Sequence, residues 1–269
     1  ERDAIQATRP SGCWCLGLGG RQPRVLPISH VSSETLTFYD PACVCPEAHA
    51  MTAAIESGRV AYHRSIIDAR MNRVFGSPDL DGYERASMET INPTPGNRGS
   101  FARLLAYVDP SQPEICDKSL MIRGPVGTGK TWAAIAMMRR RMEFGEAAHF
   151  LPLGKFLERL KASFGRAADG SDGPTTADLL SAPRDIGLLV VDDLGAEYGT
   201  SWAETQIYEL VSARRTKPTI FTTNCSLGDL EDRAGERIAS RVVGMCGGLS
   251  GNIVEWGGED LRLREWGRL

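Results

Sequence analysis

The spacing of apolar residues changes along the chain and divides it into parts. Residues 1–50 are rich in Gly, Pro, Ser and Cys and carry little 3.6-residue periodicity, which predicts a small, loop-rich unit. From Pro46 to about Val74 a different pattern sets in. Ala50, Ala53, Ala54, Val60, Ala61, Ile66, Ile67 and Met71 recur at helical spacings among polar residues, so one or two helices are expected. Residues 75–98 hold Gly76, Pro78, Gly82, Pro93, Pro95 and Gly96 and read as a linker or an irregular docking segment.

After Arg98 short apolar runs alternate with amphipathic stretches. Strands are expected at Ser119–Arg123, His149–Pro152, Ile186–Val191, Thr219–Thr223 and Gly251–Trp256. Helices are expected at Phe101–Tyr107, Thr131–Phe144, Lys155–Phe164, Trp202–Arg215 and Arg233–Met245, with a loop at 168–174. Alternation of this kind predicts an α/β fold, a parallel sheet covered by helices on both faces.

Composition narrows the class. The chain has 269 residues, 42% hydrophobic and 24% charged, the balance of a folded globular protein. No run reaches the ~18 apolar residues of a membrane helix. A net charge of -3 excludes a strongly basic nucleic-acid coat but leaves room for a local basic patch. Five of the 31 basic residues are Lys, so positive charge is mostly Arg, which suits bidentate phosphate and carboxylate pairing. Seven Cys are too few for a disulfide scaffold of this length. With no secretion signal visible, the odd number fits a reducing cytoplasm.

Four segments carry candidate chemistry. Gly124, Pro125, Val126, Gly127, Thr128, Gly129, Lys130 and Thr131 match G-x-x-x-x-G-K-[ST] between an expected strand and an expected helix, the context the motif requires. There the glycines let backbone N–H groups turn toward an anion, and the helix N-terminus adds partial positive charge. Lys130 supplies a full charge to the outer phosphates of ATP, and the Thr131 hydroxyl can ligate Mg²⁺. The apolar run from Leu188 to Val191 ends in Asp192 and Asp193. The first acid can hold Mg²⁺ and the second can orient or deprotonate a water. The strand at 219–223 ends in Asn224, whose amide can hold that water against the γ-phosphate or serve only as a turn residue. Arg237 and Arg241 share one helix face, as arginine fingers or as solvated residues paired with Glu231 or Glu236. A transporter-type ATPase needs its LSGGQ-like signature before the acidic strand, and here Gly247–Gly251 comes after it.

GPVGTGKT, LLVVDDLGAE, FTTN and GERIASRV, in this order, resemble the bacterial replicative helicase loaders of the DnaC/DnaI type. These belong to the AAA+ ATPases, alongside DnaA and the transposition helper IstB. The resemblance covers residues 97–269 and implies a P-loop AAA+ domain without a full helical lid. It implies ATP hydrolysis that is weak alone and stimulated by assembly or by single-stranded DNA. By position Lys130, Thr131, Asp192, Asp193 and Asn224 serve the nucleotide, and Arg241, with Arg237 as second candidate, is the finger given to a neighbouring subunit. The positions resembling the DNA-binding surface are Phe164, Thr200, Ser201 and Trp202; Phe164 fits core packing equally well.

Cys13 and Cys15, with Cys43 and Cys45, form two C-x-C pairs. Four thiolates can close a tetrahedral Zn²⁺ site, with His30 or His49 as possible substitutes; the alternative is ordinary small hydrophobes in a reducing compartment. Some loaders carry an N-terminal zinc-binding domain that grips the helicase. Residues 1–50 then read as a zinc-binding partner module, 51–96 as a helical linker and 97–269 as the ATPase domain. The expectation is an ATP-dependent loader of a hexameric replicative helicase onto single-stranded DNA, self-associating through its ATPase interface. The alternatives are an IstB-like helper of a transposase and, more remotely, a P-loop small-molecule kinase.

Overall fold

In the computed structural model of the chain, the residues described are 25–27, 35–37, 65–76, 80–164, 173–196 and 200–261. The chain divides into two compact units, Glu1–His63 and Arg64–Leu269. In the first, β1 (Val25–Pro27) and β2 (Thr35–Thr37) pair antiparallel, with Leu26 opposite Leu36. The four N-terminal cysteines, His30 and His49 lie outside the described residues.

The second unit is built on β3 (Leu120–Arg123), β4 (Ala148–Pro152), β5 (Leu188–Asp192), β6 (Thr219–Thr223) and β7 (Ile253–Glu255). They form one sheet in the order β4-β5-β6-β3-β7, and every adjacent pair is parallel. The two-residue period of a strand sends alternate side chains to opposite faces. Leu189, Val191, Met121 and Phe221 join one core; Leu188, Val190, Leu120, Ile122 and Ile220 join the other. With both faces buried, the strands are apolar throughout, as parallel strands require.

The first core is covered by residues 65–75, a helix here called α1, through Met71, Val74 and Phe75. α2 (Arg98–Val108) lies on the other face, followed by a single turn, α3 (Pro113–Cys116). α4 (Lys130–Glu143) buries Ala133 through Met138 without a break, because the sheet, α2 and the 80–91 segment enclose it. α5 (Leu153–Ala162), α6 (Thr176–Asp185), α7 (Ser201–Ala213), α8 (Leu227–Ala234) and α9 (Glu236–Met245) return to the first face. No helix among the described residues is long and apolar enough to cross a membrane.

Two departures from the expected elements have local causes. The sequence pattern assigns no element after the loop at 168–174 until Ile186, and the structure has α6 there. A capping box between Thr175 and Asp178 starts this helix, and Pro183 sits buried in its last turn. The helix expected over Arg233–Met245 is two helices. Gly235, at φ 93°, separates them, and a Cβ there would stand 2.6 Å from the Glu204 carboxylate.

Candidate nucleotide-binding site

β3 delivers the chain into the glycine-rich loop, and α4 begins at Lys130. Gly124 is fixed by close approach: at φ 154°, an added Cβ would meet the Trp256 carbonyl at 2.1 Å. Lys130 is buried, and its Nζ donates to the Gly124 and Pro125 carbonyls at 2.8 and 2.6 Å. The Thr128 hydroxyl donates to the Pro125 carbonyl at 2.9 Å. The full charge is therefore held beneath the loop rather than left to solvent.

The stretch after β7 crosses the same loop. The Trp256 N–H donates to the Arg123 carbonyl at 2.7 Å and its indole Nε1–H to the Thr128 carbonyl at 2.9 Å. The Leu261 N–H donates to the Gly127 carbonyl at 2.9 Å. Asn97 pairs with the backbone of Gly257 on both sides of its amide.

Asp192 ends β5 beside the loop. Its Oδ1 accepts from the Thr131 hydroxyl at 2.9 Å and from the Thr222 hydroxyl at 2.6 Å. Burial pushes the Asp192 carboxyl above the usual carboxylate range, while the two hydroxyls and Lys130 oppose that rise. Asp193 has φ 63°, the left-handed region that a non-glycine residue seldom adopts. Its N–H donates to Thr222 Oγ1 at 2.9 Å, and its Oδ1 accepts from the Asn224 amide at 2.7 Å.

These groups line a cleft of about 600 Å³. The structure brings together Val126 to Thr131, Asp192, Asp193 and Asn224. It adds residues that the sequence did not single out: Thr222, Trp132 and Trp256, with Tyr83, Ile91 and Asn92 from the 80–97 segment. Trp132 donates through Nε1 to Thr90 Oγ1 at 3.1 Å and leans on Tyr83, which makes that end of the cleft aromatic. Trp132 follows the motif directly, and this adjacency was the available signal. The irregular 80–97 segment offered none.

The remaining candidates lie elsewhere. Arg237 and Arg241 do not line the cleft. Both guanidiniums stack on the Tyr208 ring, at 4.4 and 4.6 Å from its centroid. Arg237 also donates to the Tyr208 hydroxyl at 3.1 Å, and Arg241 donates to the Ser212 hydroxyl. Phe164 is 56% exposed, which removes the core-packing alternative. It meets Trp202 edge-on at 5.7 Å, and Lys161 Nζ lies 5.1 Å from the Trp202 centroid. Thr200 caps α7 by accepting the Ala203 N–H at 3.2 Å, and Ser201 opens that helix. Cys116, Cys225 and Cys246 are buried and in no disulfide; burial pushes the Cys246 thiol up to about 12.

A family model described as IstB-like ATP binding protein matches residues 105–265. The chain belongs to this family. Within it, residues 124–131 and Asp192 fit ATP and Mg²⁺ in their own chemistry. The loop is shaped by glycines around a buried ammonium, and the hydroxyl and carboxylate oxygens of Thr131 and Asp192 are the hard donors that Mg²⁺ takes.

The chain is also 23% identical over 149 residues to the replicative helicase loader DnaC of Escherichia coli K12, covering 55% of this chain and 58% of that protein. It is 31% identical over 157 residues to an ATP-binding protein of insertion sequence IS1162 from Pseudomonas fluorescens, covering 58% and 64%. It thus spans less than two thirds of the length of either relative. The crystal structure of the DnaC helicase loader superposes with a TM-score of 0.55 and 27% identity, over 65% of this chain and 98% of that one. The fold of this IstB-like chain is therefore that of the AAA+ P-loop domains.

Proposed function

We propose that the chain is an ATP-hydrolysing loader that places a hexameric replicative helicase on single-stranded DNA, in the cytoplasm. The observation that carries the reading is the superposition on nearly the whole DnaC structure, with the loop, Asp192 and Asn224 meeting in one cleft. In this reading Lys130 draws in the outer phosphates, and the aromatic end of the cleft receives the base. Thr131 and Asp192 hold Mg²⁺, which supplies charge to offset that developing on the transferred phosphoryl group. Asp193, oriented by Asn224, is the group placed to position a water.

Arg241, with Arg237 beside it, points its chemistry to a neighbouring subunit. Phe164 and Trp202, with Lys161, offer a stacking surface for single-stranded DNA beside Thr200 and Ser201. Residues 1–50, with zinc on Cys13, Cys15, Cys43 and Cys45, hold the helicase, and the compact unit Arg64–Leu269, which takes in most of the 51–96 stretch expected as a linker, forms the motor.

A second reading, an ATPase helper of a transposase, is favoured by the family model and by the 31% identity to the IS1162 protein. Affinity purification from the native host separates the two. Recovery of a replicative helicase, retained with ATP and lost in Lys130→Ala, supports the loader. Recovery of a transposase in its place refutes the loader, and normal hydrolysis by Lys130→Ala refutes the assignment of the cleft.

A further inference from the structure

Asp192 and Asp193 are adjacent in sequence, yet each is gripped from a different strand position on β6. Thr222 and Asn224 are two residues apart, so their side chains share a face of the chain as it leaves β6. Thr222 meets Asp192 and Asn224 meets Asp193.

The direction of the Thr222 bonds follows from stoichiometry. A hydroxyl has one proton and two lone pairs. The Asp193 N–H can only donate, so Thr222 Oγ1 accepts there, at 2.9 Å. Its one proton is then free for Asp192 Oδ1, at 2.6 Å. With Thr222 donating, Asp192 Oδ1 is the acceptor, and when the acid is ionised this bond is stronger than one between neutral groups. One hydroxyl thereby does two things. It orients the Asp192 carboxylate alongside Thr131, and it holds the left-handed turn at Asp193, a conformation that costs about 1 kcal/mol or more in a non-glycine residue. Thr222 is 2% exposed, so its hydroxyl is largely withdrawn from bulk solvent.

We propose that Thr222 is a positioning residue that locks the metal-binding acid and the turn at Asp193 to β6, and so sets how tightly the cleft takes a divalent cation with its nucleotide. The role rests on the nucleotide-binding reading above. Valine has nearly the shape of threonine and suits a strand, but it can neither accept from Asp193 nor donate to Asp192. Serine keeps both bonds.

The test uses the full chain and a fluorescent ATP analogue, titrated in EDTA and then against Mg²⁺. In Thr222→Val, affinity in EDTA should stay within about twofold of wild type, because the glycine loop and Lys130 are untouched. The Mg²⁺ concentration for half-maximal enhancement of binding should rise about tenfold, the loss of one charge-assisted hydrogen bond. Thr222→Ser should restore both values. A Mg²⁺ dependence in Thr222→Val equal to wild type overturns the proposal. Equal shifts in the Val and Ser variants overturn it too, because they trace the effect to packing. If Thr222→Val does not fold, Thr222→Ala carries the same expectations. Failure of the wild-type chain to bind the analogue in either condition sinks the nucleotide-binding reading itself, and this role with it.

Discussion

Replacing Arg214 by methionine should lower the stability of the sheet-bearing unit by about 3 kcal/mol. Arg214 is 1% exposed, the largest fully buried side chain among the described residues. Its five N–H donors all find acceptors. Nε donates to Thr219 Oγ1 at 2.9 Å; Nη1 donates to the Pro183 and Ile186 carbonyls at 2.7 and 2.9 Å; Nη2 donates to those of Gly187 and Pro218 at 2.9 and 2.6 Å. The guanidinium thus ties the end of α6 to the beginnings of β5 and β6, the two strands whose far ends carry the acids and Asn224. Burial pushes it down to about 10, still charged at neutral pH. Methionine fills much of the volume but donates nothing. Pro218 keeps the Leu189 N–H, and the Thr219 hydroxyl keeps the Lys217 carbonyl, so three carbonyls are left bare. Each costs about 1–3 kcal/mol. Relief from burying a charge returns several kcal/mol, which brings the net to about 3 kcal/mol. For a unit of this size the melting temperature should fall by about 6–12 °C. Thermal unfolding followed by circular dichroism reads it directly. A methionine variant within about 1 kcal/mol of wild type would show that the carbonyls find water or relax, and would refute this account of the buried arginine.

Further outcomes follow from single groups. Burial, reinforced by Arg159, pushes His149 down to about 4 from 6.5, so the unfolded chain takes up the proton first as pH falls. Stability of about 3 kcal/mol, present above pH 6.5, should be lost between pH 6.5 and 4, and His149→Phe should flatten that limb of the pH–stability curve. Gly124→Ala should lower stability by about 3 kcal/mol, since its Cβ would drive into the Trp256 carbonyl, and denaturant unfolding will show whether β7 absorbs the clash. About one Zn²⁺ per chain should be found by elemental analysis; no zinc, with Cys13, Cys15, Cys43 and Cys45 freely reactive in the native protein, refutes the zinc module.

The parts of the site legible in the sequence are those whose chemistry is written locally. The glycine loop needs its residues consecutively, and an apolar run ending in acids reads as a strand end without tertiary knowledge. The parts that were not legible depend on contacts between distant segments. Thr222 looks like any β-branched strand residue until β5 and β6 are paired in register. The 80–97 segment has the prolines and glycines of a linker, yet Ala86 and Met88 are buried in the second core and its neighbours line the cleft. α6 was not legible because Pro183 reads as a breaker, and its place in the fold depends on the burial of Leu179 and Ala182 in the first core, which the local sequence does not show. Gly235 was visible, but only the approach of Glu204 shows why the chain must turn there.

The arginine pair supplies the last prediction, that Arg241 acts on the nucleotide of a neighbouring subunit. A residue serving its own cleft should line it, and neither Arg241 nor Arg237 does. Both are instead held ready: the Tyr208 ring lies under the two guanidiniums, and Ser212 accepts from Arg241. Orientation set in advance lowers the entropy lost when a finger engages. Hydrolysis per subunit should therefore rise with protein concentration, or with single-stranded DNA that gathers subunits. Arg241→Ala should lose that rise, by on the order of 10³-fold for a finger of ordinary strength, while still binding ATP. Mixing Arg241→Ala with Lys130→Ala decides the matter. Each is inactive alone, but an interface between them can pair an intact loop with an intact arginine. Activity that returns on mixing places Arg241 in the neighbour's site. Normal hydrolysis by Arg241→Ala at every concentration removes it from that role and passes the test to Arg237, one turn earlier on the same face.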